Sequence, residues 1–263
     1  MENEATSPLQ SLLEVIARLH APAPDGCPWC LEQTHESLAD DLLKEAHEAA
    51  DAMRRGNSAD LRSELGDVLS HVLTNAYLAD TAGAFTLDDV IVEVTSKLIR
   101  RHPHVFGDEK VSSAEEVARK WDAIKRDERP ADASVLAGIP GSLPSLMRAE
   151  EMQQRAARVG FDWPDQGGVI EKVHEEIDEL RAAAPADQPE ELGDVLFSLV
   201  NLARHLGVDP ELALQRASDK FARRFQAVEA ACHSRGKAPD AFSLDELDAM
   251  WNAAKTAERE LPR

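Results

Sequence analysis

The chain has 263 residues, 43% hydrophobic and 30% charged, a globular composition whose apolar runs are too short to span a bilayer. Its formal net charge of −20 repels a nucleic-acid backbone, so neither nucleic acid nor membrane is an expected partner, and a phosphate ligand would need divalent metal with focused Lys or Arg. The cysteines are Cys27, Cys30 and Cys232, too few for a disulfide framework. Met1 to Ser7, with Glu2 and Glu4 and no basic or apolar region, is unlike a signal peptide, and the chain reads as cytoplasmic.

Apolar residues recur at helical spacing nearly throughout and alternating β-branched runs are absent, which predicts an all-α fold. In chain order the predicted helices span residues 7–20, 36–55, 59–82, 87–102 and 114–128, then 145–158, 167–184, 188–206, 209–233 and 244–259. Thr86 precedes an acidic first turn, Pro189 opens a helix, Gly207 follows one, and Ser243 with Glu246 makes a capping box. Pro130, Gly138, Pro140, Gly141 and Pro144 mark residues 129–144 as a linker between an N-terminal domain, 1–128, and a C-terminal domain, 145–263.

The two domains repeat one another. Glu-Leu-Gly-Asp-Val-Leu occurs at Glu64 to Leu69 and again at Glu191 to Leu196, each copy downstream of a glutamate pair, Glu45/Glu48 or Glu176/Glu179. Trp29 matches Trp163. Lys97, Arg100 and Arg101 match Lys220, Arg223 and Arg224, and Trp121 with Lys125 matches Trp251 with Lys255. Landmarks kept in this order indicate duplication.

At about 100° per residue, Glu176 and Glu179 share one side of their helix, at the edge of a stripe formed by Val169, Val173, Ile177 and Leu180. On the next helix Glu191, Asp194, Ser198, Asn201 and His205 fall within roughly 80° of arc. Gly193 costs that helix about 1 kcal/mol against alanine, and close approach of the neighbouring helix is the expected reason. Four carboxylates at facing helix edges raise one another's pKa unless a cation neutralises them, and all-oxygen ligands select Mg²⁺ or Mn²⁺ over Zn²⁺. One acidic pair alone would be an ordinary solvated face; two pairs, repeated in both halves at the core edge, point to a metal site. Lys220, Arg223 and Arg224, by themselves an ordinary surface turn, take on a phosphate role through the same repetition.

Together these residues resemble the MazG family of nucleoside triphosphate pyrophosphohydrolases, whose motif is EExxE followed by ExxD. Glu175, Glu176, Glu179, Glu191 and Asp194 match it in full, and Gly26-Cys27-Pro28-Trp29, Arg101 to Phe106, Gly160 to Trp163 and Asn201 to His205 extend the likeness over nearly the whole chain. The resemblance implies tandem four-helix modules, usually in a homodimer. It implies Mg²⁺-dependent hydrolysis of ribo- and deoxyribonucleoside triphosphates between the α and β phosphates, releasing monophosphate and pyrophosphate, with nucleotide-pool sanitation as the suggested role. The family's metal ligands fall on Glu176, Glu179, Glu191 and Asp194. Its nucleotide contacts fall on Lys172, Glu175, Glu190, Asp194, Asn201, Lys220, Arg223, Arg224 and Trp251. Glu175 is the candidate for orienting or deprotonating the attacking water, Lys220 and Arg223 for stabilising the departing pyrophosphate, and Trp251 for either stacking on the base or packing in the core.

The halves are not equivalent. Glu45, Glu48, Glu64 and Asp67 form a second possible metal site, but Lys44 stands where the motif's leading glutamate belongs, Asp41 replaces Lys172 and Thr74 replaces Asn201. Catalysis is therefore expected in the C-terminal half, with the N-terminal half weakly active or inactive. Cys27-Pro28-Trp29-Cys30 lacks a second Cys/His pair or a strand context, and the ExxH runs at Glu32 and Glu171 do not share the carboxylate seam, so redox, zinc and di-iron readings are set aside. A non-catalytic helical protein that binds nucleotides or a regulatory partner remains the alternative.

Overall fold

A computed structural model describes residues 7–128, 130 and 132–260. Its described residues are helices joined by turns and loops, without strands, and the chain divides into two compact units, Met1–Glu128 and Arg129–Arg263. No helix among the described residues is long and apolar enough to cross a membrane.

The first unit contains α1 (Pro8–Leu19), a short α2 (Pro28–Leu31), α3 (Ala39–Arg55), α4 (Ser58–Thr81), α5 (Leu87–Arg101), a short α6 (Pro103–Phe106) and α7 (Ala114–Asp127). α4 packs against α1, α3 and α5, and α7 folds back on α5. Leu73, Ala76 and Ala79 of α4, with Ala49 and Ala52 of α3 and Ile16 of α1, are buried. The small side chains on α3 and α4 allow two long helices to lie close.

The second unit repeats that plan with α8 (Ser145–Ala157), α9 (Gln166–Ala182), α10 (Gln188–His205), α11 (Pro210–Ser234) and α12 (Leu244–Glu260). α10 packs against α8, α9 and α11, and α8 also meets α11, closing a four-helix module. α12 packs on α11, where Val228, Cys232 and Met250 form a small core flanked by Trp251 and Phe242.

Local chemistry sets the helix ends. Thr86 and Asp89 form a reciprocal capping box on α5, as do Ser243 and Glu246 at the start of α12. Gly207, with φ of 67°, stops α10 by adopting the left-handed conformation that side chains resist. α3 starts three residues later than its apolar pattern suggests, because Thr34 and Ser37 cap one another across a separate turn: the Thr34 amide donates to Ser37 Oγ at 2.9 Å and the Ser37 amide to Thr34 Oγ1 at 3.1 Å. α2 and α6 are one-turn helices that each begin with a proline, whose fixed φ suits a first helical turn.

The duplication extends to a tertiary clamp. Arg100 and Arg101 of α5 both bind Glu128 at the end of α7, at 2.7 and 2.6 Å, and the Arg101 guanidinium lies 5.4 Å from the Trp121 ring centre. In the second unit Arg223 and Arg224 of α11 bind Glu258 of α12 at 3.2 and 2.7 Å, with Arg224 5.8 Å from the Trp251 ring centre. Hydrogen bonds from Arg101 and Arg100 hold the Glu128 carboxyl down at about 2, and those from Arg224 and Arg223 depress that of Glu258. Residues 132–144 belong with the second unit, where the Arg155 guanidinium donates to the Ala137 carbonyl at 2.7 Å.

Candidate metal centre and its cavity

The hairpin of α9 and α10 delivers the carboxylates. Glu176 sits one turn beyond the buried Val173 and is itself 7% exposed, while Glu191 and Asp194 lie one turn apart near the start of α10. One carboxylate oxygen from each of Glu176, Glu191 and Asp194 can be chosen so that all three lie within 4.8 Å of one another. Glu179 stands outside that trio yet feels it: desolvation first, then the charges of Glu176, Glu175 and Glu191, push its carboxyl above the usual range, with Lys172 opposing. Lys172 donates to Glu176 at 2.8 Å and to Glu175 at 2.9 Å, and these two bonds hold its ammonium firmly protonated.

The first unit gathers a different trio. Glu45, Glu48 and Glu64 come within the same 4.8 Å limit, whereas Asp67 stays outside it but helps raise the Glu64 carboxyl, after desolvation and Glu48. Lys44 spans two of the three, 3.0 Å from Glu48 and 3.4 Å from Glu45. Both trios offer only carboxylate oxygen, a donor set that fits a hard divalent cation. Among the described residues these are the two groups of His, Cys, Asp or Glu gathered closely enough for an ion. Cys27 and Cys30 are free thiols at the start of α2, and Glu171 and His174 are exposed on α9.

Beside the second trio lies a mostly apolar cavity of about 410 Å³. Glu176 and Asp194 edge it; Met152, Phe161, Trp163 and Phe197 supply much of its surface. Trp163 seats over Gly168, where a Cβ would come within 2.4 Å of the indole Cδ1, so only glycine admits the ring. Polar groups on its wall are tied in a chain. The Arg204 guanidinium donates to Asp162 Oδ2 at 2.9 Å and to Asn201 Oδ1 at 2.7 Å, and His205 Nε2 lies 3.0 Å from Asp162 Oδ1. Hydrogen bonds from Arg204, then from His205, hold the Asp162 carboxyl down at about 2.

The expected site residues divide accordingly. Lys172, Glu176, Asp194 and Asn201 meet at the cavity, with Glu191 at the trio and Glu175 on Lys172. Glu190 is exposed on the first turn of α10. Arg223 and Arg224 are held by Glu258, Lys220 is exposed on the same helix, and Trp251 lies between Arg224 and Phe221, 5.2 Å from the latter's ring centre. The close approach expected at Gly193 is absent: a Cβ there would meet nothing within 4 Å. That glycine adjoins open space, and its cost is not recovered by packing within the chain.

Gln153, whose Nε2 donates to the Phe197 carbonyl at 2.8 Å, lines the cavity with Asp162 and Arg204, and sequence reasoning assigned none of the three to the site. Gln153 had a legible signal, since it follows Leu146 and Ala149 on the face of α8 that continues to Ala156, and a polar residue interrupts that apolar stripe.

This arrangement defines a helical protein with two carboxylate clusters that could each hold a cation, one of them opening on a ligand-sized cavity. A family model for the MazG nucleotide pyrophosphohydrolase domain matches residues 33–106 and 167–228, so it covers both hairpins. The nucleoside triphosphate pyrophosphohydrolase of Escherichia coli K12 is 44% identical over 261 residues, spanning 96% of this chain and 99% of that protein. The nucleoside triphosphate pyrophosphohydrolase/pyrophosphatase MazG of Thermotoga maritima is 42% identical over 254 residues, 96% of this chain and 97% of that one. The crystal structure of a MazG-related protein from Thermotoga maritima, 32% identical, covers 44% of this chain and 98% of its own at a TM-score of 0.38. The chain belongs to the MazG nucleotide pyrophosphohydrolase family.

The raised carboxyls give a pH test. An acid whose pKa is higher folded than unfolded makes folding take up protons, so its contribution to stability falls as pH rises through its range. Glu64 and Glu179 both have that sign. Thermal melts with and without Mg²⁺ should show the ion raising the melting temperature at pH 7.5 and losing most of that effect near pH 4.5, where protons compete for the same oxygens.

Proposed function

We propose that the chain hydrolyses ribo- and deoxyribonucleoside triphosphates between the α and β phosphates, giving nucleoside monophosphate and pyrophosphate, and that the second unit carries the reaction. The observation that supports this most is the junction of Glu176, Glu191 and Asp194 with a cavity large enough for a small ligand. Family membership supplies the reaction class. Mg²⁺, or Mn²⁺ in its place, would be held by Glu176, Glu191 and Asp194 with Glu179 alongside, and supplies charge neutralisation for the polyphosphate and a lowered pKa for water.

The chain's own residues do the rest. Glu175, exposed and paired with Lys172, is the group that takes the proton from the attacking water. Lys172 brings a permanent positive charge to the carboxylate edge and offsets part of their repulsion. Arg223 and Arg224, prepositioned by Glu258, and the exposed Lys220 meet phosphate oxygens, while Trp251 braces Arg224. In the first unit Lys44 already spans Glu45 and Glu48, which lowers the gain from binding a cation there and leaves that unit weakly active or inactive. Removal of unwanted triphosphates from the nucleotide pool is the physiological role this reaction serves.

A second copy of the chain is the proposed partner. Leu192, Leu196 and Leu199 of α10 and Leu214 and Phe221 of α11 are each at least 40% exposed, as are Leu65, Leu69 and Val72 of α4. So much apolar surface on helices that also bury a face suits an obligate interface.

Incubation of the protein with a nucleoside triphosphate and Mg²⁺ should release monophosphate and pyrophosphate in equal amounts. Glu176→Ala should lower turnover at least about a hundredfold, the scale of losing a catalytic charge group, and Glu45→Ala should change it less than about threefold on that scale. Diphosphate plus orthophosphate would overturn the bond assignment. Nucleotide binding without turnover would favour a non-catalytic binding protein. Sedimentation should give a dimer mass, with Leu196→Asp shifting it toward the monomer.

A further inference from the structure

The short α2 and the residue before it carry two free thiols for which triphosphate hydrolysis has no use. Cys27 and Cys30 are both half-buried, and Trp29 between them is 59% exposed. The turn that holds them is pinned at both ends. The Cys27 amide donates to the Leu19 carbonyl at 2.8 Å, and the Leu31 amide closes the turn on the Cys27 carbonyl at 3.1 Å. Beyond it the Gln33 amide donates to the Cys30 carbonyl at 3.2 Å and Gln33 Nε2 to the Trp29 carbonyl at 2.9 Å. Gly26 lets the chain enter this turn tightly, since a Cβ there would come within 1.9 Å of the Ala21 carbonyl oxygen.

Residues three apart on a helical turn stand about 5 to 6 Å apart at Cβ, and a disulfide needs about 3.5 to 4.5 Å. Cys27, with φ of −81° and ψ of 120°, lies just outside the helical turn, where a small rotation brings its sulfur to Cys30 without unwinding α2. The two thiols already act on each other. Weak hydrogen bonding to sulfur, from the Cys30 amide first, then the Cys30 thiol and the Trp29 amide, stops short of a full capping bond but draws the Cys27 thiol below the usual range. Burial, then the bond given to Cys27 and the charge there, pushes the Cys30 thiol up. That division suits one attacking and one resolving thiol. With Trp29 matched to Trp163, the second unit has Phe161 and Pro164 in place of the two cysteines, so the repeated fold does not require them. Cys232 is fully buried, with its sulfur 3.7 Å from Met250 Sδ, and takes no part. A strand context or a second Cys/His pair is what a thioredoxin-type or zinc site would need here; exchange with a small disulfide needs neither.

We propose that Cys27 and Cys30 form a redox-modification site, at which a low-molecular-weight disulfide converts the dithiol into an intramolecular Cys27–Cys30 disulfide. The Cys27 thiolate attacks one sulfur of the small disulfide, forming a mixed disulfide and releasing one thiolate. Cys30 gives up its proton, attacks the Cys27 sulfur and expels the second thiolate. Both protein thiols are thereby oxidised, the small disulfide is reduced to two thiols that take up the two protons, and a dithiol reductant reverses the exchange. The step is independent of triphosphate hydrolysis and draws on none of the carboxylates.

Incubation of the full chain with oxidised glutathione, followed by alkylation of the remaining thiols, proteolysis and peptide mass analysis, provides the test. The wild type should yield a peptide in which Cys27 and Cys30 are linked to each other and which dithiothreitol returns to the dithiol, with Cys232 still carrying its thiol. Cys30→Ser should stop at a mixed disulfide between glutathione and Cys27. Cys27→Ser should react more slowly than Cys30→Ser by about threefold or more, because the thiolate lost at a higher pKa outweighs the nucleophilicity gained. Wild-type protein that keeps both thiols free, that stops at the mixed disulfide, or that links either cysteine to another chain would overturn the proposal. Reaction of Cys27→Ser as fast as that of Cys30→Ser would overturn the assignment of attacking and resolving thiols. Thermal melting checks the fold of both variants, and the wild-type measurement alone decides whether the bridge forms.

Discussion

Repulsion among carboxylates is the constraint on which the rest of this molecule turns. A hairpin of two helices brings acidic residues from i,i+3 pairs to a common edge, where desolvation and like charge raise the carboxyls of Glu64 and Glu179. The packing that creates this edge is apolar and local. Val169 and Val173 of α9 with Val195 and Val200 of α10 are buried, and the acids ride beside that seam. Nothing in the seam itself needs acids; they store a charge imbalance, at some cost to the stability of the fold, of the kind a divalent cation would relieve.

The two units answer that imbalance differently. In the first, Lys44 reaches two members of the trio, so an internal cation already does part of the work. In the second, Lys172 touches one member, Glu176, and otherwise binds Glu175 outside the trio. Glu191 and Asp194 make no ion pair among the described residues. The second unit also sets its trio against a cavity whose polar wall is fixed by Asp162, Arg204 and Asn201. Duplication has preserved the distant Arg–Glu–Trp clamp in both units, at nearly equal ring distances, while the charges at the hairpin edge have diverged. Architecture is held in common, and the pairing of charge at the hairpin edge differs between the copies.

Much of this was legible in the chain itself, and the reasons differ by element. The long helices follow from apolar periodicity, and their ends from single residues such as Thr86, Gly207 and Ser243, because helix and cap chemistry is local. α2 and α6 escaped notice because one turn carries no periodicity. The carboxylate pairs were legible through helical geometry and repetition, yet which three oxygens would gather was not, since that depends on how α9 and α10 are offset; hence Glu179 and Asp67 stand just outside their trios. The pairing of Arg223 and Arg224 with Glu258 joins different helices, so spacing along the chain does not reveal it. Gly193 misled for a similar reason: a helical glycine suggests a close neighbour, but open space adjoins it. Gln153 broke an apolar stripe in plain view, while its hydrogen bond to the Phe197 carbonyl is a property of three-dimensional packing alone.

The inequality of the two carboxylate edges is the feature that distinguishes the two units most directly. Titration of the protein with Mn²⁺, followed by electron paramagnetic resonance of the free ion, counts cation sites and ranks their affinity without reference to turnover. One tight site per chain is predicted, lost in Glu191→Gln and retained in Glu64→Gln. A tight site that survives Glu191→Gln and disappears in Glu64→Gln would contradict the account.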